Sequence, residues 1–134
     1  MKRRLFCLLA LCAFVALAQP NPNVVYRSYT ATIALNGSLS AAVDLNGGTP
    51  LRLEMPAAWT AAVVTFQFSH DGVTYRNLYD AAGTEYSVTV DASRAVVLSP
   101  ADFAGVRYIK VRSGTAASAV VQLAARSIGI VCLH

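Results

Sequence analysis

Residues 61–79, AAVVTFQFSHDGVTYRNLY, constrain the fold most, because apolar and polar side chains alternate along them with a period of two. Phe66 and Phe68 alternate with polar residues until Asp71 and Gly72 interrupt the pattern, and the alternation resumes at Tyr75. A period of two places one set of side chains on a single face of a strand, and Asp-Gly supplies the positive φ of a tight turn. The stretch therefore predicts a β-hairpin whose turn is formed by Asp71 and Gly72.

Short segments with strand-like patterns follow one another from Val24 onward, separated by turn signals. Eight or nine short strands at intervals of about 8–12 residues, with almost no helical periodicity, are typical of a sandwich or barrel. We therefore predict an all-β chain: a single-domain antiparallel β-sandwich or jelly roll over residues 24–134, preceded by an N-terminal hydrophobic leader. The predicted strands cover 24–35, 39–45, 51–55, 64–69, 75–79, 86–90, 94–98 and 107–112, with one bent strand or two short ones over 119–131.

Turn residues indicate how these strands connect. Asn36-Gly37 is typical of a hairpin turn, and residues 91–93 turn the chain so that the next strand runs back. A single helical turn is predicted after that strand, with Ser99 as its cap, Pro100 in the first helical position and Phe103 closing one end of the core.

The N-terminus has the three parts of a secretory signal peptide. Three basic residues follow Met1, residues 5–17 are apolar, and an Ala-Leu-Ala sequence ending at Ala18 forms a small-x-small cleavage site. About 13 apolar residues are too few to span a bilayer comfortably, which takes roughly 20. We therefore predict a signal peptide over residues 1–18, a Pro/Asn linker over 19–23, and no stable membrane span once the leader is removed.

Beyond the leader the chain is nearly neutral and poor in charge. Three of the eleven basic residues lie in the leader, which leaves eight against seven acidic residues and argues against nucleic acid as a partner. Charged residues make up 13% of the chain, against roughly 25% in an ordinary soluble domain. Such a surface favours a homo-oligomer or a larger protein assembly that covers it. A genomic base bias toward alanine is the alternative explanation.

Two segments, FSHDGVTYRNLY (68–79) and GVRYIKVRSG (105–114), resemble a strand pair of the galactose-binding-like jelly rolls of the discoidin type. In that family a Ser-x-Asp-Gly hairpin is followed by an Arg-Tyr strand. The ligand-binding loops of the family have no counterpart in this sequence, so the resemblance carries over no sugar site.

A longer resemblance runs over residues 25–131. The segments YRSYTATIALNGSLSAAVDL, MPAAWTAAVVTFQFSHDGVTYRNLYDAAGTEYSVT and SPADFAGVRYIKVRSGT are similar to small uncharacterised proteins from the structural regions of tailed phages and prophages. The resemblance implies a virion-associated decoration, head-fibre or tail component. Phage structural proteins normally assemble in the cytoplasm, so the leader departs from this pattern. Either this relative is exported, to the periplasm or the extracellular space, or residues 1–18 reflect a start codon placed too far upstream.

No residue pattern predicts a catalytic site. Ser69, His70 and Asp71 have the residue types of a catalytic triad, but consecutive strand residues point to opposite faces, so these three are not expected to meet as a triad requires. Asp71 is expected to bond its own backbone in the turn instead. We predict no enzymatic activity.

Metal ligands are few. Asp71, Asp80 and Glu85 have the oxygen ligands that calcium prefers, but solvated turn acids are the preferred interpretation. Cys132 and His134 offer two ligands on one face, which make a weak site; a half-buried cysteine in the last strand is preferred. Cys132 is the only cysteine beyond the leader and has no partner for an internal disulfide. We predict neither a metal nor another cofactor.

Four aromatic residues, Trp59, Tyr75, Tyr79 and Tyr108, would form a ligand-stacking platform if they reached one exposed surface, because flat rings stack on sugar faces. Core packing is the alternative for the same residues. Two function hypotheses follow. The first is a non-enzymatic structural module of a phage virion that acts by self-association and docking, and the second is an exported module that binds carbohydrate or another cell-surface ligand.

Overall fold

The computed structural model describes residues 24–134, so the predicted leader and linker lie outside the described part. This part contains nine β-strands and one 3-10 helix, Pro100–Phe103. No helix within it has the length and apolar character needed to cross a membrane. The strands are β1 (Tyr26–Ile33), β2 (Val43–Asp44), β3 (Thr49–Glu54), β4 (Val64–Ser69), β5 (Arg76–Asn77), β6 (Ser87–Val88), β7 (Ala95–Val97), β8 (Tyr108–Ser113) and β9 (Arg126–Leu133).

Two antiparallel sheets pack face to face as a β-sandwich, which confirms the predicted fold class. The first sheet has the strand order β1-β9-β3-β7, and the second has the order β2-β8-β4-β5, with β6 also pairing with β4. β1 pairs with β9 along its whole length, from Tyr26 opposite Leu133 to Ile33 opposite Arg126. The first and last strands therefore lie side by side at one edge of the first sheet.

The core is built from side chains at every second strand position, which point inward. Ile128 and Ile130 of β9, Phe66 of β4 and Val111 of β8 are fully buried in one cluster. Phe103 is also fully buried, and its ring stands at 90° to that of Phe66 with the centroids 5.1 Å apart, a favourable edge-to-face contact. The prediction that Phe103 closes one end of the core is confirmed.

The predicted cap at Ser99 is wrong, because its side chain makes no capping hydrogen bond. The Ser99 carbonyl already accepts the backbone N–H of Asp102 at 3.1 Å, which is the N–H that a capping hydroxyl would satisfy. Pro100 does begin the helix, as predicted.

The predicted central hairpin is present. β4 pairs with β5 through Gln67 opposite Asn77 and Phe68 opposite Arg76, and Gly72 in the turn has a φ of 75°. The more extensive partner of β4 is β8, which pairs with it along its whole length. The hairpin is therefore one edge of a larger antiparallel sheet.

Of two other predicted hairpins, the one at Asn36 is reduced to a single bridge and the one at residues 91–93 is wrong. Asn36 turns the chain, with a φ of 60°, and Ser40 bridges back to Ile33, but β1 pairs along its length with β9, and β2 pairs with β8 in the second sheet. Likewise β6 pairs with β4 whereas β7 pairs with β3. At both turns the chain crosses from one sheet to the other, because the flanking segments cover the shared core from opposite sides.

Gly114 lies where the chain leaves β8. It forms an isolated bridge with Ala119, so the strand predicted over 119–131 is divided into this bridge and β9. The φ of Gly114 is 84°, and a Cβ built on it would overlap the carbonyl oxygen of Ser118 and lie 2.7 Å from the amide nitrogen of Val120. Gly83 has nearly the same φ, 82°, but its Cβ would meet nothing within 4 Å.

Substitutions at Gly83 and Gly114 separate the energetic cost of backbone strain from that of steric overlap. Gly83→Ala is expected to cost about 1–2 kcal/mol of unfolding free energy, the usual cost of a left-handed L-residue. Gly114→Ala is expected to cost at least about 2 kcal/mol more, because backbone atoms must move to admit the methyl group. Urea unfolding followed by circular dichroism measures both values, and equal costs would contradict the prediction.

Candidate docking surface

The outward side of the first sheet, here called the first-sheet face, carries almost no charge. Arg52 and Glu54 are its only charged members, and their side chains pair at 2.9 Å. Because successive strand residues point to opposite faces, the strand register gives the outward set as Tyr26, Ser28, Thr30, Thr32, Ser127, Gly129, Val131, Leu133, Arg52, Glu54, Ala95 and Val97. The face is neutral and rich in small, hydroxyl-bearing and apolar side chains.

An apolar groove of about 370 Å³ lies on this face, lined by Tyr26, Leu51, Arg52, Val97 and Val131. Val97 is 80% exposed and Tyr26 is 65% exposed. A β-bulge creates the groove, since the pairing with β9 shifts between Pro50 and Arg52, which turns Leu51 to the same side as Arg52. Periodicity gives no sign of the bulge, although Pro50 beside it is a residue that sheets admit at bulges. The sequence signal for the groove is that residues 95–98 are apolar at consecutive positions.

The outward side of the second sheet is occupied by its own polar network. Arg112 of β8 is 8% exposed, and its guanidinium donates to Glu85 Oε1 at 3.1 Å and to Asn77 Oδ1 at 2.8 Å. Glu85 also accepts the backbone N–H of Ala116 at 3.0 Å, and Gln67 donates to the same oxygen of Asn77 at 3.1 Å. A buried ion pair whose other polar atoms are satisfied holds the structure together and leaves few groups for a ligand.

The acidic residues that could hold calcium do not come together. Asp71 and Asp80 each accept backbone N–H groups of their own turns, and Glu85 pairs with Arg112. Over residues 24–134, no three His, Cys, Asp or Glu side chains are grouped closely enough to hold a metal ion.

Cys132 is fully buried rather than half-buried as predicted, because it occupies an inward position of β9. Burial raises the pKa of its thiol to about 11. Since the thiolate is the form that binds metals, the thiol is a poor ligand here. The ring of His134 instead lies with its Nε2 3.0 Å from the hydroxyl of Tyr29.

The hairpin turn is organised by Asp71. Its Oδ1 accepts the hydroxyl of Ser69 at 2.7 Å and the backbone N–H groups of Val73 and Thr74, each at 2.8 Å. These donors, the Ser69 hydroxyl first, hold the pKa of Asp71 well below its usual range. The prediction that Asp71 bonds its own backbone is confirmed.

Ser69 and Asp71 do meet in the turn, but His70 does not join them. Ser69 is the last residue of β4, and the turn curls back so that the two side chains meet, while the Ser69 oxygen also accepts the N–H of Gly72 at 2.9 Å. The contact does not activate Ser69, because the hydroxyl donates its hydrogen bond to a carboxylate that is a weak base. His70 is exposed to solvent and does not lie between the two side chains.

Two of the predicted aromatic residues lie at the hairpin end of the second sheet. The Lys110 ammonium lies 4.0 Å from the ring centroid of Tyr75. Tyr108 packs beneath the turn, where a Cβ on Gly72 would lie 3.2 Å from its ring. Both rings therefore have protein groups against them, although both side chains are partly accessible.

The other two predicted aromatic residues lie apart from this pair. Trp59 packs against the core, near the opposite end of β4, and its Nε1 donates to the carbonyl of Ala62 at 3.1 Å. Tyr79 bridges to Glu85 and is 51% exposed, which makes it the most exposed of the four. The four rings do not form one continuous platform in this conformation.

Comparisons of this chain with descriptions of protein families, with curated proteins and with solved structures find no match. The resemblances to phage structural proteins and to discoidin jelly rolls therefore stay predictions from the sequence. Among the surfaces described above, the first-sheet face is the one that combines an apolar groove with exposed apolar side chains and a nearly uncharged surround.

Asp71 generates a pH-dependent prediction. Asp71→Asn is expected to lower the melting temperature at pH 7, because the asparagine lacks the charge that the three donors stabilise. The folded-state pKa of Asp71 lies below its usual value of about 3.9, so this stabilisation is present above that value and is lost as the pH falls toward the lowered pKa. The difference in melting temperature between wild type and variant should therefore shrink between about pH 5 and pH 2.

Circular dichroism at a series of pH values measures this difference. Asp91→Asn is the matched control, because Asp91 lies in an exposed turn, where it accepts the N–H of Ala92 and pairs with a solvent-exposed Arg94. If the difference in melting temperature between the wild type and Asp71→Asn is the same at pH 7 and pH 2, the charge of Asp71 contributes nothing to stability.

Proposed function

We propose that the chain is a non-enzymatic assembly module that self-associates through its first-sheet face, as a decoration, head-fibre or tail accessory component of a virion. The observation that carries the proposal is the apolar groove, in which Val97 and Tyr26 stay exposed next to Leu51. Exposed apolar surface of this kind marks interaction sites in soluble proteins. The occupant we propose is a second copy of the same chain.

The charges of the first-sheet face support a copy of itself as the partner. Arg52 and Glu54 lie two residues apart on β3 and point to the same side. When two such faces pack about a two-fold axis, Arg52 of one copy can approach Glu54 of the other, and no other charge on either face opposes the contact. The exposed ring of Tyr26 supplies a side chain large enough to enter the facing groove.

The second sheet supports the same choice by contrast. Among its outward charges, Arg112 and Glu85 pair with each other and are 9% and 15% exposed. Lys110 lies over the ring of Tyr75, and Asp44 pairs with Arg107. A partner that docked there would gain little from groups that are already satisfied. The resemblance to phage structural proteins and the low charge of the whole chain point in the same direction, with the virion as the place of action, or export through the leader.

Carbohydrate binding stays a prediction from the sequence. If the chain is an exported sugar-binding module, Tyr79 is the residue to test, because it is half exposed and not part of the core. Trp59 is a poor probe, since removing its core-packed ring would destabilise the fold. A strictly monomeric protein that binds polysaccharide, and loses that binding in Tyr79→Ala, would replace the assembly proposal.

Val97→Lys tests self-association. An ammonium placed in the apolar groove must be desolvated when the faces meet, so we expect the dissociation constant to rise at least about tenfold, equivalent to about 1.4 kcal/mol. Val73→Lys is the matched control, because Val73 is 82% exposed but lies in the hairpin turn, outside the first sheet. Sedimentation equilibrium over a wide range of protein concentrations measures the three dissociation constants.

The result expected is a concentration-dependent oligomer for the wild type and for Val73→Lys, with weaker association for Val97→Lys. If Val97→Lys and Val73→Lys weaken association equally, the added charge acts independently of its position on the surface. A wild-type protein that stays monomeric at every concentration would overturn the proposal.

A further inference from the structure

The edges of the two sheets differ greatly in length. β1 has eight residues, whereas the other edge strands have three (β7) or two (β2, β5 and β6). β1 contains no proline, lysine or acidic residue, which are among the devices that prevent a sheet edge from pairing with another chain, and Arg27 is its one charged residue. Among residues 24–134, β1 is therefore the edge best suited to accept a further strand.

The hydrogen bonds of β1 show which of its backbone groups are free. Val25 and His134 exchange both N–H to O=C bonds, at 3.4 and 2.8 Å. Antiparallel pairing alternates, so Arg27, Tyr29 and the following odd-numbered residues bond to β9, and the even-numbered residues point away from it. The carbonyl of Thr32 confirms this phase, because it accepts the N–H of Ala41 from the side opposite β9 at 3.4 Å.

At the start of this edge, six backbone groups have no partner within residues 24–134: the N–H and C=O of Tyr26, Ser28 and Thr30. All three residues are exposed. Toward the end of β1 the edge is covered, since Ser40 bridges to Ile33 and Ala41 bonds to Thr32. The open part of the edge is therefore short and has a defined centre, Ser28.

We propose that a second copy of the chain pairs with β1 in antiparallel fashion, with the two-fold axis at Ser28. This inference deepens the self-association proposed above and rests on it. Tyr26 of one copy then lies opposite Thr30 of the other, and Ser28 lies opposite Ser28. Each such pair exchanges two hydrogen bonds, so this register uses all six open groups of each copy. Moving the axis by one residue toward Thr30 requires the Thr32 carbonyl, which Ala41 already occupies.

The side chains of this register are compatible. Arg27 lies opposite Tyr29 of the other copy, where its guanidinium can approach the ring, and the two Arg27 side chains are not opposed. On the other side of the ladder, the exposed ring of Tyr26 covers Thr30 of the partner. Neither face of the new pairing places like charges together.

Edge pairing also makes the first-sheet face large enough to dock. β1 and β9 have eight residues, β3 has six and β7 has three, so at about 3.3 Å per residue and about 4.8 Å between strands the face measures roughly 400 Å² in projection. A stable interface buries roughly 800 Å² on each partner. Two copies joined at β1 form one eight-stranded sheet whose outward faces are continuous, which doubles the available area.

Cysteine cross-linking tests the register. Ser28→Cys should be cross-linked to itself by a short bismaleimide, and a mixture of Tyr26→Cys with Thr30→Cys should give a heterodimer. Thr30→Cys alone is the matched control, because its two copies would be separated by four residues along the strand, about 13 Å. Cys132 does not interfere, since it is fully buried. Cross-linking of Thr30→Cys alone that equals that of Ser28→Cys would overturn the register.

Ser28→Pro tests the hydrogen bonds themselves. The Ser28 N–H points away from β9, so proline removes a bond to the second copy without removing one from the fold. Sedimentation should show association at least about tenfold weaker than for Ser28→Ala, which loses the same hydroxyl but keeps the N–H. Thermal unfolding shows whether each variant keeps the monomer fold.

The two proposals fail in different ways. If the wild type forms an oligomer that Val97→Lys weakens, while Ser28→Cys is not cross-linked and Ser28→Pro associates as Ser28→Ala does, the edge pairing is wrong and the docking of the first-sheet face stands. If the wild type is a monomer at every concentration, both are wrong.

Discussion

The pairing of β9 with its two neighbours is the interaction on which the rest of the structure depends. β9 lies between β1 and β3, so the last strand of the described chain joins the first strand to the middle of the first sheet. Its inward residues Ile128 and Ile130 are fully buried in the core, and its outward residue Val131 lines the groove. One strand therefore serves both the stability of the sandwich and the surface proposed for docking.

β3 approaches β9 closely, which explains why β9 has a glycine at position 129. Gly129 lies opposite Glu54, and a Cβ at Gly129 would lie 3.1 Å from the Cβ of Glu54, which is tighter than ordinary contact. Without a side chain at Gly129, Glu54 can lie across β9 and still reach Arg52. The only ion pair on the first-sheet face thus stays flat against the sheet, which keeps the face smooth enough for another protein surface to approach.

Much of the fold could be predicted from residues alone, because strand periodicity and turn chemistry are local. The alternation over 52–55 and 64–69, the left-handed turn at Gly72 and the buried ring of Phe103 all follow from neighbouring residues. Strand partners did not follow, since turns at Asn36 and at residues 91–93 fit either a hairpin or a crossing between sheets. That choice depends on which distant strand completes each sheet.

The surface was harder to predict than the core for the same reason. The bulge at Leu51 is a property of the pairing between β3 and β9, and Pro50, which cannot donate to the ladder, is its one local signal. The contact between Arg112 and Glu85 joins residues that are far apart in sequence, so Arg112 could be placed on a strand face but not recognised as buried. The hydrogen bond between Ser69 and Asp71 belongs to the turn after β4, so its geometry comes from the turn and not from the pairing of strands.

If the β1 edge and the first-sheet face both associate by two-fold symmetry, as proposed, each copy has two neighbours, which neither contact gives alone. A single isologous contact closes at a dimer, because each copy uses its patch once. The β1 edge and the first-sheet face are different patches of the same sheet, with axes in different directions, so one copy can hold two neighbours at once. Perpendicular axes that intersect give a closed tetramer, whereas axes that do not intersect give an open array. Either arrangement would cover part of the charge-poor surface with copies of the chain itself, which matches the weak defence of such a surface against association.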